Sequence, residues 1–545
     1  MAVLVEQQLL KGAAFLNNEC AVEEMFTPED FTEEHRMIAE TTRQFVDNEV
    51  APRTGQLEQH DWQLARDLVR QAGDLGLIGA NISAAYGGLG LDHISGALIA
   101  ENLGRSLSFA TTLLAQTGIG LWPIIHFGTG AAKRKYLPRI ASGELITAYA
   151  LTEATAGSDA LAARTTARLS EDGTHYILNG EKVFVTNGGV AGIFIVFAKV
   201  DGKLTAFVVE AQEGVAPGVE ERKMGIRGSS TTSLVLTDAK TPRENLLGEI
   251  GMGQQIAFGI LNLGRCKLGA MCVGAMKLMV QQVTRYASQR KQFGRSIASF
   301  GAIRAKLAEM TIRTWVGESI LYRTLGLIEA ATGAIDSNDG KDSAAWLRRM
   351  EEYAAECSIV KVAVSEYCNY VADEMVQIYG GYGYLADYPA ERAYRDSRLM
   401  RIGTGTNEIN RLLVSSLMIK SATQGCSPFA EDAGPLSYEG TVLRKAKQAA
   451  LTSLTMAAQM NKLPLSEQQA IMMGIADIII DTYAMESAIL RTQKAGAPSS
   501  YADMTQVFCA DAIQRIEVTL KNTISAIEGR GPFALRQRIA KAIQF

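Results

Sequence analysis

The sequence predicts a mostly α-helical protein with a small antiparallel β domain in its middle. Apolar residues recur every three or four positions between residues 31 and 143, which is typical of amphipathic helices. From about Tyr149 the period changes to two, which is typical of half-buried strands, and at Gly253 the helical period returns. A chain of 545 residues is too long for one core. The expected units are a helical domain at 25–148, a β domain at 149–252, a helical bundle at 253–420, a linker at 421–440 and a second helical bundle at 441–545.

Proline and glycine delimit the predicted helices, because both interrupt helical hydrogen bonding. Ala51-Pro52 and the glycine-rich stretch 86–90 separate the helices of the first domain. The later helical segments are long and show no alternation, which suits an antiparallel bundle. The predicted helices are 33–50, 62–72 and 94–103 in the first domain, and 253–293, 303–331, 344–379 and 407–420 in the third.

The β domain is predicted from alternating runs joined by dipeptides that tolerate positive φ. Asn179-Gly180 lies between two strand-like runs within 175–186, which predicts a hairpin there. Asp201-Gly202 has the same position between the runs 193–200 and 204–210. The remaining predicted strand is 233–237, closed by Pro242.

Charge and motif searches exclude several classes of function. The net charge is −4, and the 54 basic residues are interspersed with 58 acidic ones, so the basic surface typical of nucleic-acid binding is not indicated. The five histidines do not fall at metal-ligand spacing, and the sequence contains neither a Gly-x-Ser-x-Gly elbow nor a phosphate-loop motif. We therefore expect no nucleic-acid partner, no metal site and no serine-esterase chemistry.

Cysteine usage and the N-terminus favour a reducing compartment. The seven cysteines are odd in number and contain no Cys-x-x-Cys, which suggests neither a disulfide framework nor a zinc site. The first 24 residues are unlike a signal or transit peptide, because they are partly acidic and lack an apolar core. The most apolar runs contain Lys277 and Asp477 and are too short to span a bilayer. We expect a cytoplasmic protein without a transmembrane segment, for which peripheral membrane contact stays open.

Five short motifs carry the functional information, although each also has a structural explanation. Small residues at 149–159 and 185–189 suit turns, and they also let a backbone approach a planar or anionic ligand. The stretches 290–294 and 377–384 contain glycines that end helices. The motifs are Tyr149-Ala-Leu-Thr-Glu-Ala-Thr-Ala-Gly-Ser-Asp159, Val185-Thr-Asn-Gly-Gly189, Arg290-Lys-Gln-Phe-Gly294, Gln377-Ile-Tyr-Gly-Gly-Tyr-Gly-Tyr384 and the segment 395–411, which includes Gly403-Thr404-Gly405-Thr406.

In this order and at these separations, the motifs resemble those of the acyl-CoA dehydrogenase family of FAD enzymes. The resemblance covers residues 30–420, and the block after residue 440 looks like the extra helical domain of the very-long-chain members. It implies a fold of helical domain, β domain and helical bundle, with FAD as cofactor. The implied reaction is oxidation of a fatty acyl-CoA to the trans-2-enoyl-CoA in β-oxidation, with an electron-transfer flavoprotein as electron acceptor.

The resemblance also assigns roles to residues. Thr186 would polarise the reactive edge of the flavin, and Phe184, where most members carry tryptophan, would stack nearby. Arg290 would reach the pyrophosphate of FAD bound mainly by a second subunit, which implies a homodimer. The implied cofactor contacts are Leu151, Thr152, Gly157, Ser158, Phe184, Thr186, Arg290, Gln292, Phe293, Gln377, Gly380, Gly381, Thr406, Asn407 and Glu408. The implied substrate contacts are Ser158, Asn262, Arg265 and Gly405.

The family's general base is missing from this sequence. Most members carry a glutamate at the position of Thr404, which is therefore the candidate catalytic position, and some branches carry it at the position of Gly264. A threonine hydroxyl is a poor base near neutral pH, and loss of a general base typically slows a step by about 10²- to 10⁴-fold. The substitutes that the sequence offers are Asp396, Glu408 and Cys266, the last only with a lowered pKa.

Three functions stay open from the sequence. The first is a working dehydrogenase for a medium to long acyl-CoA. The second is a non-catalytic paralog that binds FAD and acyl-CoA in a regulatory or assembly role, which the double absence of glutamate favours. The third is an oxidase that uses O₂. In each case the last helical block should cover the face through which simpler members pair dimers into tetramers, so we expect a dimer.

Overall fold

A computed structural model describes residues 11–333, 343–422, 436–459 and 468–529, together with residues 335, 531 and 535. The chain forms a helical domain, a β sheet, a helical bundle and a further helical block in that order, so the predicted fold class is confirmed. Most of the predicted linker at 421–440 lies outside the described residues.

The first domain consists of short helices that begin at capping side chains. The Thr32 hydroxyl accepts a hydrogen bond from the His35 N–H at 3.2 Å, and Asp92 accepts one from the Ser95 N–H at 2.7 Å. The predicted helix 33–50 is regular up to Phe45 and continues as a π-helical turn, Val46–Val50. The helices are α1 (Glu33–Phe45), α2 (Thr54–Glu58), α3 (Trp62–Asp74), α4 (His93–Leu103), α5 (Leu107–Thr117), α6 (Trp122–Phe127) and α7 (Gly130–Ala141).

The middle domain is a mainly antiparallel sheet with strand order β6-β7-β3-β2-β4-β5-β8. Its strands are β1 (Thr147–Ala150), β2 (Thr166–Leu169), β3 (His175–Thr186), β4 (Ile193–Val200), β5 (Lys203–Glu210), β6 (Val215–Pro217), β7 (Thr231–Pro242) and β8 (Leu246–Leu247). The first strand is an exception to the antiparallel prediction, because it pairs with β4 in parallel. The predicted Asp201-Gly202 hairpin is confirmed: both residues have positive φ, and Val200 pairs with Lys203.

The hairpin predicted at Asn179-Gly180 is wrong. Strand β3 continues through both residues and pairs with β7, with a register shift between Leu178 and Gly180 that marks a bulge. Gly180 has φ +151°, and a Cβ there would lie 2.5 Å from Thr165 Oγ1. The glycine is therefore explained by close strand packing. Asn179 instead exchanges hydrogen bonds with Asp238 across the strand pair, at 2.8 and 2.9 Å.

The bundle is built around a long buried helix. Its helices are α8 (Gly253–Gln289), α9 (Gly301–Thr332), α10 (Ser343–Glu352), α11 (Ala354–Tyr379), α12 (Pro389–Ser397) and α13 (Asn407–Ala422). The predicted helix 253–293 ends earlier, at Gln289, because residues 290–296 turn back as a two-stranded ribbon, β9 (Lys291–Gln292) with β10 (Arg295–Ser296). The predicted helix 344–379 is divided near Tyr353 into α10 and α11.

The last block contributes α14 (Ser437–Ala458), α15 (Gln469–Lys494) and α16 (Ser499–Ile527). Within the described residues, the two stretches His93–Phe127 and Gly253–Gln289 have the length and hydropathy of membrane-spanning helices. Of their most apolar windows, 83% and 89% are buried inside the fold, as in the core helices of water-soluble proteins.

Buried ion pairs join the last block to the bundle. The Glu486 carboxylate on α15 accepts hydrogen bonds from Arg323 of α9 at 2.6 Å and from Lys447 of α14 at 2.5 Å, and all three residues are almost fully buried. One turn later, Arg491 pairs with Glu318 of α9 at 2.8 Å and with Glu29 at 3.0 Å. Helix α15 is thus fixed to α9 by charge-assisted hydrogen bonds as well as by apolar packing.

Replacement Glu486→Gln should weaken this attachment, since it removes the carboxylate that two buried cations share. Breaking a buried ion pair typically costs about 3–5 kcal/mol. We expect faster hydrogen exchange in α14 and α15, measured by mass spectrometry. Glu144→Gln is the control, because its pair with Arg139 is half-exposed and should contribute less than about 1 kcal/mol. Unchanged protection in Glu486→Gln would show that apolar packing alone holds the block.

Candidate functional site

A cavity of about 140 Å³ lies where α5, α8, the end of β3 and the turn before α13 meet. Leu268 and Met271 of α8 give it a mainly apolar wall, and Thr186 closes it on the side of the sheet. Both positions at which the sequence lacks the expected carboxylate, Gly264 and Thr404, line this cavity. Two segments that are 140 residues apart in the sequence therefore meet at one site.

The turn that carries Thr404 has an unusual backbone. Thr404 has φ +55° and Gly405 φ +89°. A β-branched residue rarely adopts this left-handed conformation, and holding one there costs about 1–3 kcal/mol. The Thr404 hydroxyl donates to the Gly403 carbonyl oxygen at 2.8 Å, so it is engaged with its own turn. Such strain needs support from the surrounding structure.

That support comes from buried polar groups on α11 and α13. The Asn407 amide group donates to Glu366 Oε1 at 2.9 Å and to Ser365 Oγ at 3.1 Å, while its oxygen accepts from Lys361 Nζ at 2.5 Å. Asn410 Nδ2 donates to the carbonyl oxygens of Gly405 and Thr406, at 2.9 and 3.0 Å. The side chain of Asn407 is therefore committed to the bundle, and burial lowers the pKa of Lys361 to about 7.

Arg265 fixes the same turn from α8. Its Nε donates to the Thr404 carbonyl oxygen at 3.4 Å, and its Nη1 donates to Asn262 Oδ1 at 2.6 Å and to Ser358 Oγ at 3.3 Å. The guanidinium is almost fully buried, and burial lowers its pKa. Two of the predicted substrate contacts, Asn262 and Arg265, thus form one unit beside the cavity, next to Gly405.

The three substitute bases predicted from the sequence do not line the cavity. Asp396 accepts a hydrogen bond from the Ile226 N–H at 2.6 Å, and burial raises its pKa to about 6. Glu408 is exposed on the first turn of α13, and Cys266 is buried with its sulfur 3.7 Å from Cys357. Among the residues that the structure describes, the cavity wall contains no acidic side chain.

The motifs at 149–159 and 185–189 lie at the ends of strands β1 and β3. Gly157 and Ser158 are exposed in the loop between β1 and β2, while Leu151 is buried and Thr152 half-buried. Phe184 is 67% exposed and has φ +56°. A bulky exposed ring on a left-handed backbone is an unusual feature that suits contact with a ligand.

A buried ion pair that the sequence did not indicate shapes this loop. Glu153 accepts hydrogen bonds from Lys182 Nζ at 2.7 Å, from Thr165 Oγ1 at 2.6 Å and from the Arg164 N–H at 2.6 Å. Burial alone would raise the pKa of Glu153, but these hydrogen bonds lower it to about 2. Lys182 lies in strand β3, in which buried and exposed residues alternate, so a lysine there reads as exposed from the sequence. Its complete burial in the structure shows that its role is structural.

Four of the other predicted cofactor contacts line a second, separate cleft, whereas Thr406, Asn407 and Glu408 lie at the start of α13. Arg290 and Gln292 line it together with Gly380 and Gly381, and the Arg290 guanidinium lies 5.5 Å from the ring centre of Tyr382. Phe293 is 93% exposed, with φ +53°, and Gln377 is exposed nearby on α11. Residues of the 149–159 loop do not line this cleft in the described part of the chain.

Comparison with known proteins shows similarity to one family along most of the chain. The N-terminal, middle and C-terminal domains of acyl-CoA dehydrogenases match residues 32–144, 148–239 and 251–419, and a further acyl-CoA dehydrogenase C-terminal domain matches residues 445–531. A probable acyl-CoA dehydrogenase of Bacillus subtilis is 46% identical over 543 residues, covering 95% of this chain and 91% of the relative. A mitochondrial very long-chain specific acyl-CoA dehydrogenase of Mus musculus is 33% identical, covering 88% and 78%. The crystal structure of an acyl-CoA dehydrogenase complexed with FAD from Bacillus anthracis has a TM-score of 0.91 and 46% identity, covering 97% of this chain and 94% of that one.

Asn407→Ala should destabilise the turn before α13. The change leaves the buried Lys361 amine without its hydrogen-bond partner, at a typical cost of about 1–3 kcal/mol, and removes one partner each from Ser365 and Glu366, which keep bonds to Val362 and Arg411. We expect a lower midpoint of urea denaturation and faster hydrogen exchange at 403–410. Glu408→Gln, at the exposed neighbouring position, is the matched control and should change stability by less than about 0.5 kcal/mol. Equal stability of the two variants would contradict the assigned role of Asn407.

Proposed function

We propose, since this chain belongs to the acyl-CoA dehydrogenase family, that it binds FAD and oxidises a fatty acyl-CoA thioester to the trans-2-enoyl-CoA. The observation that carries the proposal is the apolar cavity between Thr186 of the sheet and Thr404 of the bundle. An acyl chain is apolar, and an apolar wall binds it through the hydrophobic effect. The strained turn at Thr404 places polar backbone at one point of that wall, where a thioester would need it.

Exposed residues of the sheet next to the cavity and of the separate Arg290 cleft fit FAD. A Cβ added to Gly157, Gly380 or Gly381 would meet no atom within 4 Å, so these backbones are open to close approach by a phosphate or a ring. Phe184 offers an exposed ring beside Thr186, where a flavin could stack. Arg290 offers a guanidinium suited to a pyrophosphate. When bound, FAD supplies the oxidant that accepts the β-hydrogen as a hydride.

The chain's own residues would orient the substrate. Leu268 and Met271 hold the acyl chain by apolar contact and exclude water from it. Thr186 and Thr404 bound the cavity on opposite sides, so a thioester between them would face the sheet on one side and the bundle on the other. Because Arg265 is buried against the Thr404 turn, its positive charge favours the negative charge that develops on the thioester oxygen.

A second function is favoured by one specific observation. Within the described part of the chain, no acidic side chain lines the cavity. A carboxylate base is therefore not positioned to remove the α-proton of a bound acyl-CoA. A protein that binds FAD and acyl-CoA without turnover, in a regulatory or assembly role, would have this arrangement. The two functions differ in one measurable property, which is reduction of the flavin by a saturated acyl-CoA.

We also propose a homodimer that shares its cofactor sites, with an electron-transfer flavoprotein as electron acceptor. Of the implied FAD contacts, Thr186 lines the cavity, whereas Arg290, Gln292, Gly380 and Gly381 line a separate cleft of the same chain, so we infer that a dinucleotide touching both groups would join two chains. Helices α14 to α16 cover one side of the bundle, which favours a dimer over a tetramer. Sedimentation as a tetramer would contradict this assembly.

Anaerobic mixing with octanoyl-CoA or palmitoyl-CoA tests the activity, because a working dehydrogenase bleaches its flavin absorbance. We predict that Thr404→Glu at pH 6 bleaches at least about tenfold faster than the natural protein, since a carboxylate would then line the cavity and a general base contributes about 10²- to 10⁴-fold. Glutamate is also unbranched at Cβ and so tolerates the left-handed backbone better than threonine.

Thr404→Gln is the matched control, because it has the same shape as glutamate and cannot act as a base. An equal or lower rate for Thr404→Glu than for the natural protein, with FAD retained, would mean that another group already serves as base at that pH. If octanoyl-CoA and palmitoyl-CoA bind but neither the natural protein nor Thr404→Glu is bleached, the non-catalytic function is supported instead.

Arg290→Ala should weaken FAD binding. A hydrogen bond between charged groups contributes about 1.5–3 kcal/mol, so the dissociation constant of FAD should rise about tenfold or more, as measured by fluorescence titration of the apoprotein. Arg285→Ala, which removes an exposed arginine from the same helix, is the control. In a mixed dimer of one Arg290→Ala subunit and one Ser158→Asp subunit, both changes fall in the same shared site. The other site then has the natural Ser158 and the natural Arg290, and it should regain FAD. Unaltered FAD affinity in Arg290→Ala would contradict the shared site.

A further inference from the structure

A buried lysine lies beside the cavity that lacks a carboxylate. Lys267 is on α8, three residues after Gly264, and is almost fully buried. Its Nζ donates to the Thr117 carbonyl oxygen at 2.9 Å and lies 4.6 Å from the ring centre of Trp122. Among the described residues, no aspartate or glutamate forms an ion pair with it. A buried lysine without a carboxylate is rare and often functional.

Lys267 does not line the cavity, but the stem of its side chain lies close to a glycine that does. In an α-helix the side chains lean toward the N-terminus, so Lys267 covers the surface of the turn that contains Gly264. Gly264 has no side chain to occupy that surface. Gly118, on the opposite wall, also lines the cavity, and a Cβ there would lie 3.8 Å from Lys267 Cδ. The two glycines thus leave the lysine stem next to the space that the acyl thioester would fill.

We propose that the Lys267 amine is the base that takes the α-proton of the acyl thioester, an inference that rests on the proposed function. A change of side-chain rotamer would carry Nζ from the Thr117 carbonyl past Gly264 and Gly118 into the cavity. The sequence offered Asp396, Glu408 and Cys266 for this role; like Lys267 they lie outside the cavity wall, but only Lys267 has its side-chain stem beside a glycine of that wall. Lys267 is the basic group one helical turn from a position at which the family can carry its base.

The protonation of Lys267 is compatible with this role. Burial lowers its pKa from 10.5 to about 7, so about half of the amines are neutral at pH 7 and can accept a proton. The titratable group that faces it from α4 is His93, whose own pKa is lowered to about 4 by burial and by the lysine charge, so it stays neutral. Lys267 contacts the Thr117 carbonyl at the end of α5 and the Trp122 ring at the start of α6.

The step balances in protons and electrons. The α C–H bond breaks, its proton bonds to the lone pair of Nζ, and its electron pair forms the α,β double bond. The β-hydrogen leaves with its own electron pair as a hydride to the oxidised flavin. The products are the trans-2-enoyl-CoA, the reduced flavin and an ammonium group on Lys267, which then returns its proton to solvent.

The test is the rate of anaerobic flavin bleaching by octanoyl-CoA and palmitoyl-CoA between pH 5.5 and 9. In the natural protein the rate should rise through about pH 7 and level off above it, because only the neutral amine accepts a proton. Lys267→Met removes the base, and Lys267→Arg keeps a cation and a donor for Thr117 but does not give up its proton near neutral pH. Both variants should lose about 10²- to 10⁴-fold in rate.

Controls separate this loss from misfolding. FAD content and binding of trans-2-octenoyl-CoA, followed by the shift of the flavin spectrum, should match the natural protein in both variants. Lys306→Met, at a bundle lysine paired with Glu374, should keep the natural rate and pH profile. The double variant with Lys267→Met and Thr404→Glu should recover bleaching, with a profile that begins at lower pH because a carboxylate is the base.

Two outcomes overturn the inference in different ways. If Lys267→Met and Lys267→Arg bleach within about threefold of the natural protein, the lysine is structural and the proposed dehydrogenase function still stands. If the natural protein binds the enoyl-CoA but is not bleached at any pH, both the base and the proposed turnover are wrong. Loss of rate only in Lys267→Met, with a normal rate in Lys267→Arg, would also overturn the proton-transfer role.

Discussion

The left-handed turn at Thr404 and Gly405 is the constraint on which the site depends. It places a β-branched residue in a costly conformation. The turn persists because Arg265 donates to the Thr404 carbonyl from α8 and Asn410 donates to the Gly405 and Thr406 carbonyls from α13, while Asn407 fixes the start of α13 to α11. Removing water from these groups makes each hydrogen bond stronger and each missing partner more costly. The hydrogen bonds of Arg265, Asn407 and Asn410 therefore fix the position of the turn that forms one wall of the cavity.

The same network reaches the last helical block. Glu366 accepts hydrogen bonds from both Asn407 and Arg411, and Arg411 continues to Asp477 on α15 at 2.7 Å. A path of charged hydrogen bonds thus connects α15 to the turn that bounds the cavity. Together with the Glu486 pairs, it gives the extra block a physical link to the site, since such networks transmit small displacements when the core around them is tightly packed.

The electrostatic character of the site differs from that expected for a family with a glutamate base. Arg265, Lys267 and Lys361 are all buried near the cavity, and none of them forms an ion pair within the described residues. Burial lowers the pKa of both lysine amines, and under the proposed function the Arg265 charge would favour negative charge on a thioester oxygen. The site thus lacks a carboxylate at both Gly264 and Thr404 and has Arg265, Lys267 and Lys361 buried nearby.

The sequence by itself determined the order of domains and the Asp201-Gly202 hairpin, because periodicity and turn chemistry are local properties of the chain. That Gly264 and Thr404 line one cavity was decided by the packing of α8 against the turn before α13. The sequence did not determine that Asn179-Gly180 forms a bulge, since that depends on Thr165, the residue before β2, packing against Gly180. It also gave no sign of Lys267 or of the Glu153–Lys182 pair. Burial and the absence of a counter-ion set the chemistry of a lysine, and both arise only when distant helices and strands pack around it.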